Sequence, residues 1–506
     1  MAQIQFVCIS DLHLGAATAL LTDAPATGGA HAGGAVAELR DALCAGLVAT
    51  LKALHPSGPP AQKPQLVLLG DVLDLSLGTP ENALAAFEAL MAALAQAGAA
   101  DWLGPFVFVP GNHDHELWTV TRFQNMAAPG HGSAPTGAQF RHTTPAFADP
   151  GGLPVAALLD TVARRHGFAG VTTVYPNMGL VSGDGKRVVV LHHGHFIEAA
   201  YHAMSSLTAA LEGRPGISYD AETLEQLNAN WIDFLWSNDG DDGRLGAEIM
   251  RAHDAEVTGG ADVRFNRRLA QILAARLGSR LPLPRSATAK QLAGIASEAL
   301  VDSVIGSYGQ LERFSYFAAL SEDSLAGLKA YLSGTVLSQI AEAGQGAKME
   351  ELTFIFGHTH KPFEARLPLP GVAMPPAIYN TGGWVLDTPM FGTKLGAGLV
   401  FIDADLNTAA LRLCNVPQHD ATATGPGAAP PAVHVATADC PDYDPATPGC
   451  ANPLATALAA ALADTAAPWA TFTKAAAAGY LDKQAFIMNR LQAFGGSGQE
   501  VEDMTQ

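Results

Sequence analysis

The chain has 506 residues, 48% hydrophobic and 15% charged, a composition typical of a globular protein and not of a disordered or fibrous one. The net charge of −19 repels polyanions, which argues against nucleic acid and anionic membranes as partners. No stretch is long and apolar enough to cross a membrane, and the first ten residues lack the pattern of a signal peptide. None of the five cysteines forms a pair with metal-site spacing. We therefore expect a soluble protein in a reducing, cytoplasmic setting.

The first part of the chain alternates strands with helices. Ile4–Ile9, Leu66–Leu69 and Phe106–Val109 are short apolar runs typical of buried parallel strands, and Val36–Leu54 and Glu81–Ala97 have helical periodicity. Each run ends in a polar cluster. Open α/β sheets place their ligands at the carboxyl ends of their strands, so these clusters are candidates for a site.

The middle of the chain changes from this alternation to long helices. A helix at Val155–His166 and strands at Val171–Tyr175 and Lys186–Leu191 come first. Residues 196–349 then form what we interpret as a helical insertion, a cap above the strand ends. Its helical segments are Ala199–Leu211, Glu222–Trp236, Arg264–Leu277 and, with interruptions, Leu311–Ala343.

The insertion contains an aromatic cluster of Trp231, Phe234, Leu235 and Trp236. The cluster is either the core of a helical layer or an apolar wall that faces a substrate. The sequence does not separate these two interpretations.

After the insertion the strand pattern resumes at Leu352–Phe356. Ala377–Trp384 and Gly398–Ile402 are typical of further strands of a second sheet, and Ala409–Cys414 is typical of another such strand. Two C-terminal helices, Pro453–Ala463 and Ala470–Phe494, are expected to pack on the body or on a second subunit. The predicted divisions are a core in two halves, 1–195 and 350–415, the insertion 196–349, a linker 416–452 and a helical extension 453–506.

The polar residues at the strand ends share one chemistry. All are oxygen or nitrogen donors without sulfur, a set that suits divalent Mn, Fe, Zn, Ni or Co. Seven probable ligands among these eight residues are too many for one ion, whereas two ions that share one carboxylate would use them all, an arrangement known for displacement at phosphorus. In chain order the residues are Asp11, His13, Asp71, Asn112, His113, His193, His358 and His360.

The motifs that contain these residues resemble the pattern of the calcineurin-like metallophosphoesterase superfamily. The resemblance covers roughly residues 1–195 and 350–405, and it implies a four-layer α/β/β/α sandwich, here with a large helical insertion and a helical C-terminal extension. The motifs are Asp11-Leu12-His13, Gly70-Asp71-Val72-Leu73-Asp74, Gly111-Asn112-His113-Asp114, His193-Gly194 and Gly357-His358-Thr359-His360.

The resemblance also implies roles for these residues. Asp11, His13 and His360 would bind one metal, Asn112, His193 and His358 a second, and Asp71 would bridge both. A hydroxide that bridges the metals would attack phosphorus, and His113 would be the catalytic acid.

Several neighbouring residues have open roles. Only one of the adjacent His192 and His193 is expected to bind metal, and the His-Gly pairing favours His193. His195 is a supporting partner, a substrate contact or a capping residue. Asp74 and Asp114 are expected to orient ligands by hydrogen bonding. His115 is interpreted as an ordinary polar turn residue.

The expected function is metal-dependent hydrolysis of a small organic or nucleotide-type phosphoester, as a phosphodiesterase or a phosphatase. Fold alone does not choose the substrate. One alternative is a nuclease of the DNA-repair type, although the negative charge and the lack of a basic, aromatic segment oppose it. Another is a catalytically silent binding protein that keeps the fold.

Overall fold

Two sheets pack face to face with helices on both outer faces, which confirms the four-layer α/β/β/α fold. The computed structural model describes residues 3–23, 33–127, 141–148, 150–212, 219–237, 319–386, 395–415, 432–447 and 449–493. The predicted helix Arg264–Leu277 and the first part of Leu311–Ala343 lie outside these ranges.

The first sheet has seven strands in the order β12-β11-β10-β1-β2-β3-β4. The strands β1 to β4 are parallel, and β10 continues the sheet antiparallel to β1. Its strands are β1 (Ile4–Ile9), β2 (Gln65–Leu68), β3 (Phe106–Phe108), β4 (Val171–Thr173), β10 (Ala397–Asp403), β11 (Thr408–Asn415) and β12 (Ala432–Ala436).

The second sheet has five strands in the order β5-β6-β7-β9-β8. The central three, β6, β7 and β9, are parallel, and the edge strands are antiparallel to their neighbours. Its strands are β5 (Asn177–Val181), β6 (Arg187–His192), β7 (Glu351–Phe356), β8 (Phe363–Arg366) and β9 (Ala377–Asn380).

Two predictions about the late strands were wrong. Gly398–Ile402 and Ala409–Cys414 lie in the first sheet and not in a second one, because β10 pairs with β1 in the register Cys8 to Val400. An apolar run buried on both faces does not show which sheet it joins. The predicted linker 416–452 contains a strand, β12, that pairs with β11.

The helices cover the two outer faces. Two short π-helical turns, Asp233–Ser237 and Leu332–Val336, continue helices of the insertion. Thr79 caps α2, whose first residue is Pro80, and Asp220 caps α6. The helices are α1 (Gly33–Leu54), α2 (Pro80–Gln96), α3 (His115–Ala127), α4 (Ala157–Arg165), α5 (Ala199–Leu211), α6 (Ala221–Ile232), α7 (Glu322–Tyr331), α8 (Leu337–Glu342), α9 (Pro453–Asp464) and α10 (Ala466–Ala493).

The run 6–9 of strand β1 shows why a buried strand is continuously apolar. Its side chains alternate between two layers: Val7 and Ile9 pack towards the outer helices, whereas Phe6 and Cys8 pack between the two sheets. A strand that is covered on both faces needs apolar residues at every position. The sandwich therefore holds the carboxyl end of β1, where the first motif begins, in a rigid frame.

The C-terminal helices pack on the body of the protein. The indole of Trp469 on α10 lies against Gly46 of α1, where a larger residue would collide with it, and it donates a hydrogen bond to the Thr50 hydroxyl at 3.0 Å. The Lys483 ammonium group donates to the carbonyls of Ala17 and Thr22, both at 2.8 Å. Contact with a second subunit through these helices stays a prediction.

Cys440 and Cys450 form a disulfide that closes the loop after β12, with Cα atoms 5.6 Å apart. Disulfides persist mainly in oxidising compartments, so this bond does not agree with the reducing setting expected from the sequence. Within the described ranges, no helix has both the length and the apolar character that crossing a bilayer requires.

We expect the double substitution of Cys440 and Cys450 by serine to lower the free energy of unfolding by about 3 kcal/mol. The disulfide closes a short loop, whose ends are ten positions apart in the sequence, and it restricts the unfolded chain. Chemical unfolding of both proteins without reductant measures the difference. The natural chain in reductant is the control and should match the variant; no effect of either change would contradict the prediction.

Candidate metal centre

The predicted site residues meet at one edge of the sandwich. The carboxyl ends of the parallel strands β1, β2 and β3 of the first sheet face those of β6 and β7 of the second. The loops after these strands carry the five motifs. The structure thus brings residues together that are up to 349 positions apart, from Asp11 to His360.

The backbone at this edge is strained. Of the non-glycine residues that the structure describes, six have positive φ, and five of them are predicted metal ligands. Such conformations are costly and persist only where surrounding contacts hold them, often at functional sites. The five are Asp11 (φ 52°), His13 (φ 45°), Asp71 (φ 49°), His358 (φ 68°) and His360 (φ 57°).

Asp11, His13 and His360 form the first donor cluster. The Nε2 atoms of His13 and His360 are 2.9 Å apart, and the same His360 atom is 3.5 Å from Asp11 Oδ1. Two imidazole nitrogens and a carboxylate oxygen therefore converge on one point. This donor set suits a divalent transition metal.

Asp71, His193, His358 and Asn112 form the second donor cluster. The Nε2 atom of His193 is 3.1 Å from Asp71 Oδ2, 3.2 Å from Asn112 Oδ1 and 3.2 Å from His358 Nδ1. The other ring nitrogen of His193 donates to the Leu69 carbonyl at 3.1 Å, which leaves Nε2 as the ligand atom. Their geometry fits a second cation.

Asp71 lies between the two clusters. Its Oδ2 atom is 3.1 Å from His193 Nε2 and 3.7 Å from His13 Nε2, so one carboxylate oxygen faces both. Burial on its own raises the pKa of this carboxyl, but His193, His113 and His13 hold the pKa well below its usual value. Burial also lowers the pKa of His193, but Asp71 raises it to about 9. The buried negative charge of Asp71 therefore attracts cations.

Two further carboxylates hold the ligands in place, as expected from the sequence. Asp74 contacts His13 Nδ1 through Oδ2 at 2.8 Å and His113 Nδ1 through Oδ1 at 3.3 Å. Asp114 accepts hydrogen bonds from the backbone N–H groups of Val72 at 2.7 Å and Gly111 at 2.8 Å. These contacts fix both ring orientation and loop shape around the centre.

Two motif glycines are explained by the lack of space beside a ligand. A Cβ atom at Gly70, whose φ is 81°, would collide with the ring of His193. A Cβ atom at Gly111 would collide with the carboxylate of Asp71. The close approach of loop and ligand thus requires glycine at both positions.

His192 and His195 lie outside the two donor clusters. His192 is fully buried on the opposite face of β6, with its ring centroid 4.8 Å from that of Tyr331, and burial lowers its pKa well below the usual value. The Nε2 atom of His195 is 3.2 Å from the Tyr175 hydroxyl. Of the adjacent pair, the structure therefore places His193 in the centre. His195 is a partner of Tyr175.

Sequence reasoning missed Glu198. Its Oε1 atom is 3.0 Å from His358 Nε2, on the side of the ring away from His193. Glu198 follows the His193 motif by five residues, and no recognisable spacing marked it. Its carboxylate faces the ring of a predicted ligand and places a negative charge beside His358.

The interpretation of His115 as an ordinary turn residue was wrong. His115 is the first residue of α3 and is fully buried, with Nε2 2.9 Å from Glu225 Oε1 and Nδ1 2.7 Å from Asp233 Oδ1. Burial on its own lowers the pKa of His115, but the two carboxylates outweigh it and raise the pKa to about 10. Both acids belong to the insertion, so their pairing with His115 was invisible in the local sequence.

A family model of calcineurin-like phosphoesterases matches residues 4–249. This match supports the calcineurin-like metallophosphoesterase superfamily for the chain. The matched part includes the first four motifs, and the fold adds His358 and His360 from the loop after β7. No curated protein matches the chain.

We expect the pairing of His115 with its two carboxylates to make stability depend on pH. The folded pKa of about 10 lies above the unfolded value near 6.5. The contribution of this pairing to the free energy of unfolding is therefore complete below about pH 6.5 and is lost as the pH rises through about 10. Chemical unfolding at pH 7 and pH 10 should show a loss on the order of 3 kcal/mol in the natural chain beyond that in His115→Gln.

The matched control for this prediction is His166→Gln. His166 also faces a carboxylate, Glu88, but at 3.7 Å and on the protein surface. This variant should keep the pH dependence of the natural chain. Equal pH dependence in the natural chain and in His115→Gln would contradict the assignment of charge to His115.

Proposed function

We propose that this chain hydrolyses a small organic or nucleotide-type phosphoester, as a phosphodiesterase or a phosphatase. The observation that carries the proposal is the position of Asp71, a buried carboxylate between two clusters of nitrogen and oxygen donors. The match to a family model of phosphoesterases supports it. The side chain of His113, the predicted acid, lies in the same centre.

The donor clusters define which residues would hold two divalent ions. One ion would bind Asp11, His13 and His360, the other Asn112, His193 and His358, with Asp71 shared. Nitrogen and oxygen donors without sulfur suit Mn, Fe, Zn or Ni. When bound, the ions supply Lewis acidity, which activates water and offsets charge on the phosphoryl oxygens.

The contacts of His113 suit a proton donor. Its Nδ1 atom faces Asp74 Oδ1 at 3.3 Å and the Ser76 hydroxyl at 3.1 Å, and its backbone N–H donates to Asp71 Oδ1 at 2.8 Å. The ring is thus fixed beside the shared carboxylate, with Nε2 as the atom assigned to proton transfer. In the proposed reaction His113 would donate its Nε2 proton to the departing oxygen.

An indole of the insertion lies on the same side of the centre. The rings of Trp236 and His113 have centroids 6.1 Å apart, and Trp236 is partly exposed. Trp231, in contrast, donates a hydrogen bond to the Thr208 hydroxyl within the insertion at 3.0 Å. An indole beside the proton donor favours a compact leaving group with an apolar or planar part. Together with the net charge of −19, this supports a small molecule over nucleic acid.

We expect His113→Ala to slow hydrolysis by about 100-fold or more for substrates with alkyl leaving groups, and far less for p-nitrophenyl esters. An alkoxide needs a proton to depart, whereas p-nitrophenolate leaves readily without one. Steady-state rates with Mn²⁺ on an alkyl phosphate, p-nitrophenyl phosphate and bis-p-nitrophenyl phosphate measure the difference. Bound metal should stay unchanged.

His55→Ala is the control, because His55 follows the end of α1 at the edge of the sheet opposite the centre. Equal losses for all leaving groups would remove His113 from proton transfer. A nucleotide sugar and duplex DNA extend the substrate set. Cleavage of DNA alone would favour a nuclease, and metal binding without any hydrolysis would favour a silent binding protein.

A further inference from the structure

A short turn of the insertion contacts the loop that carries Asn112 and His113. The hydroxyl of Ser237, in the π-helical turn Asp233–Ser237, donates to the Asn112 carbonyl at 2.6 Å and accepts from the His115 backbone N–H at 3.1 Å. The Ser237 side chain is buried, with 1% of its surface exposed. One hydroxyl therefore joins both ends of the segment 112–115.

A second set of contacts joins the same two elements. Asp233, four residues before Ser237, pairs through Oδ1 with His115 Nδ1 at 2.7 Å and accepts from the Thr119 hydroxyl through Oδ2 at 2.9 Å. Glu225 pairs with the other ring nitrogen of His115 at 2.9 Å and accepts from the Tyr175 hydroxyl at 2.8 Å. The insertion is thus fixed to the loop by charge as well as by the Ser237 hydroxyl.

The segment between these contacts carries two functional side chains. Asn112 directs its Oδ1 atom towards His193, and His113 is held at Asp74. The backbone groups that Ser237 binds are buried, and a buried carbonyl or N–H group that loses its partner shifts to find another. A shift of this four-residue segment would move Asn112 and His113 together.

We propose that Ser237 is a positioning residue, whose hydroxyl sets the place of Asn112 and His113 and makes the insertion a working part of the centre. The proposal deepens the proposed function, on which its effect on turnover rests. Its effect on metal binding rests on the donor cluster alone. Groups that hold metal ligands in place typically change metal affinity or activity 10- to 100-fold when they are removed.

The test is Ser237→Ala in the full chain. We expect affinity for one of two Mn²⁺ ions to fall about 10-fold, and kcat to fall about 10-fold with little change in KM. Equilibrium dialysis with metal analysis measures the first, and hydrolysis of an alkyl phosphate, whose leaving group needs a proton, measures the second. Ser237→Thr keeps the hydroxyl and should restore at least part of both.

Ser205→Ala is the matched control. Ser205 is an equally buried serine of the insertion, and its hydroxyl contacts the Tyr201 carbonyl at 2.9 Å and the Asn228 amide at 2.7 Å, away from the loop. It should leave metal affinity and kcat unchanged. Equal metal affinity and kcat in Ser237→Ala and the natural chain would overturn the proposal.

Misfolding of Ser237→Ala and a natural chain without hydrolytic activity each call for a further comparison. If Ser237→Ala does not fold, Asp233→Asn tests the same connection, and unchanged metal affinity in that variant would overturn the proposal. If the natural chain binds Mn²⁺ but hydrolyses nothing, the proposed function fails. The difference in metal affinity between Ser237→Ala and Ser205→Ala then still decides the positioning role.

Discussion

The buried carboxylate of Asp71 is the interaction on which the rest of this centre depends. It is 1% exposed, and one of its oxygens faces His193 at 3.1 Å and His13 at 3.7 Å. An ionised carboxylate in this position is tolerated only with positive charge beside it. Gly111 leaves it room, and the histidines around it lower its pKa. The donor clusters on both sides are arranged around this single charge.

The architecture explains how residues so far apart in sequence reach one carboxylate. Two sheets packed face to face bring the carboxyl ends of their parallel strands to one edge, and each strand is covered on both sides by apolar layers. That rigid frame supports the positive φ values at Asp11, Asp71 and His358, which isolated loops would not keep. The packing of the core thus offsets the energetic cost of the strained backbone at the polar centre.

The five motifs and the strand ends followed from the sequence, because a buried strand ending in ligands is a local pattern, and the four layers followed from the family resemblance that those motifs carry. What the sequence did not reveal depends on pairing over long distances. His115 meets Glu225 and Asp233 more than 100 residues later, and nothing near His115 marks those partners. The same holds for β10, whose apolar residues fit either sheet, and only its pairing with β1 places it in the first sheet. The role of Ser237 likewise appears only from its contacts with the loop 112–115.

The most direct test of this account is the metal content of the natural chain and of Asp71→Asn at saturating Mn²⁺, measured by elemental analysis after dialysis. Asp403→Asn is the control, because Asp403 is a similarly buried residue of the same sheet whose carboxylate accepts hydrogen bonds from the backbone of its own β10–β11 turn. We expect two ions per chain in the natural protein and in the control, and fewer than two in Asp71→Asn. Two tightly bound ions in Asp71→Asn, or none in the natural chain, would contradict it.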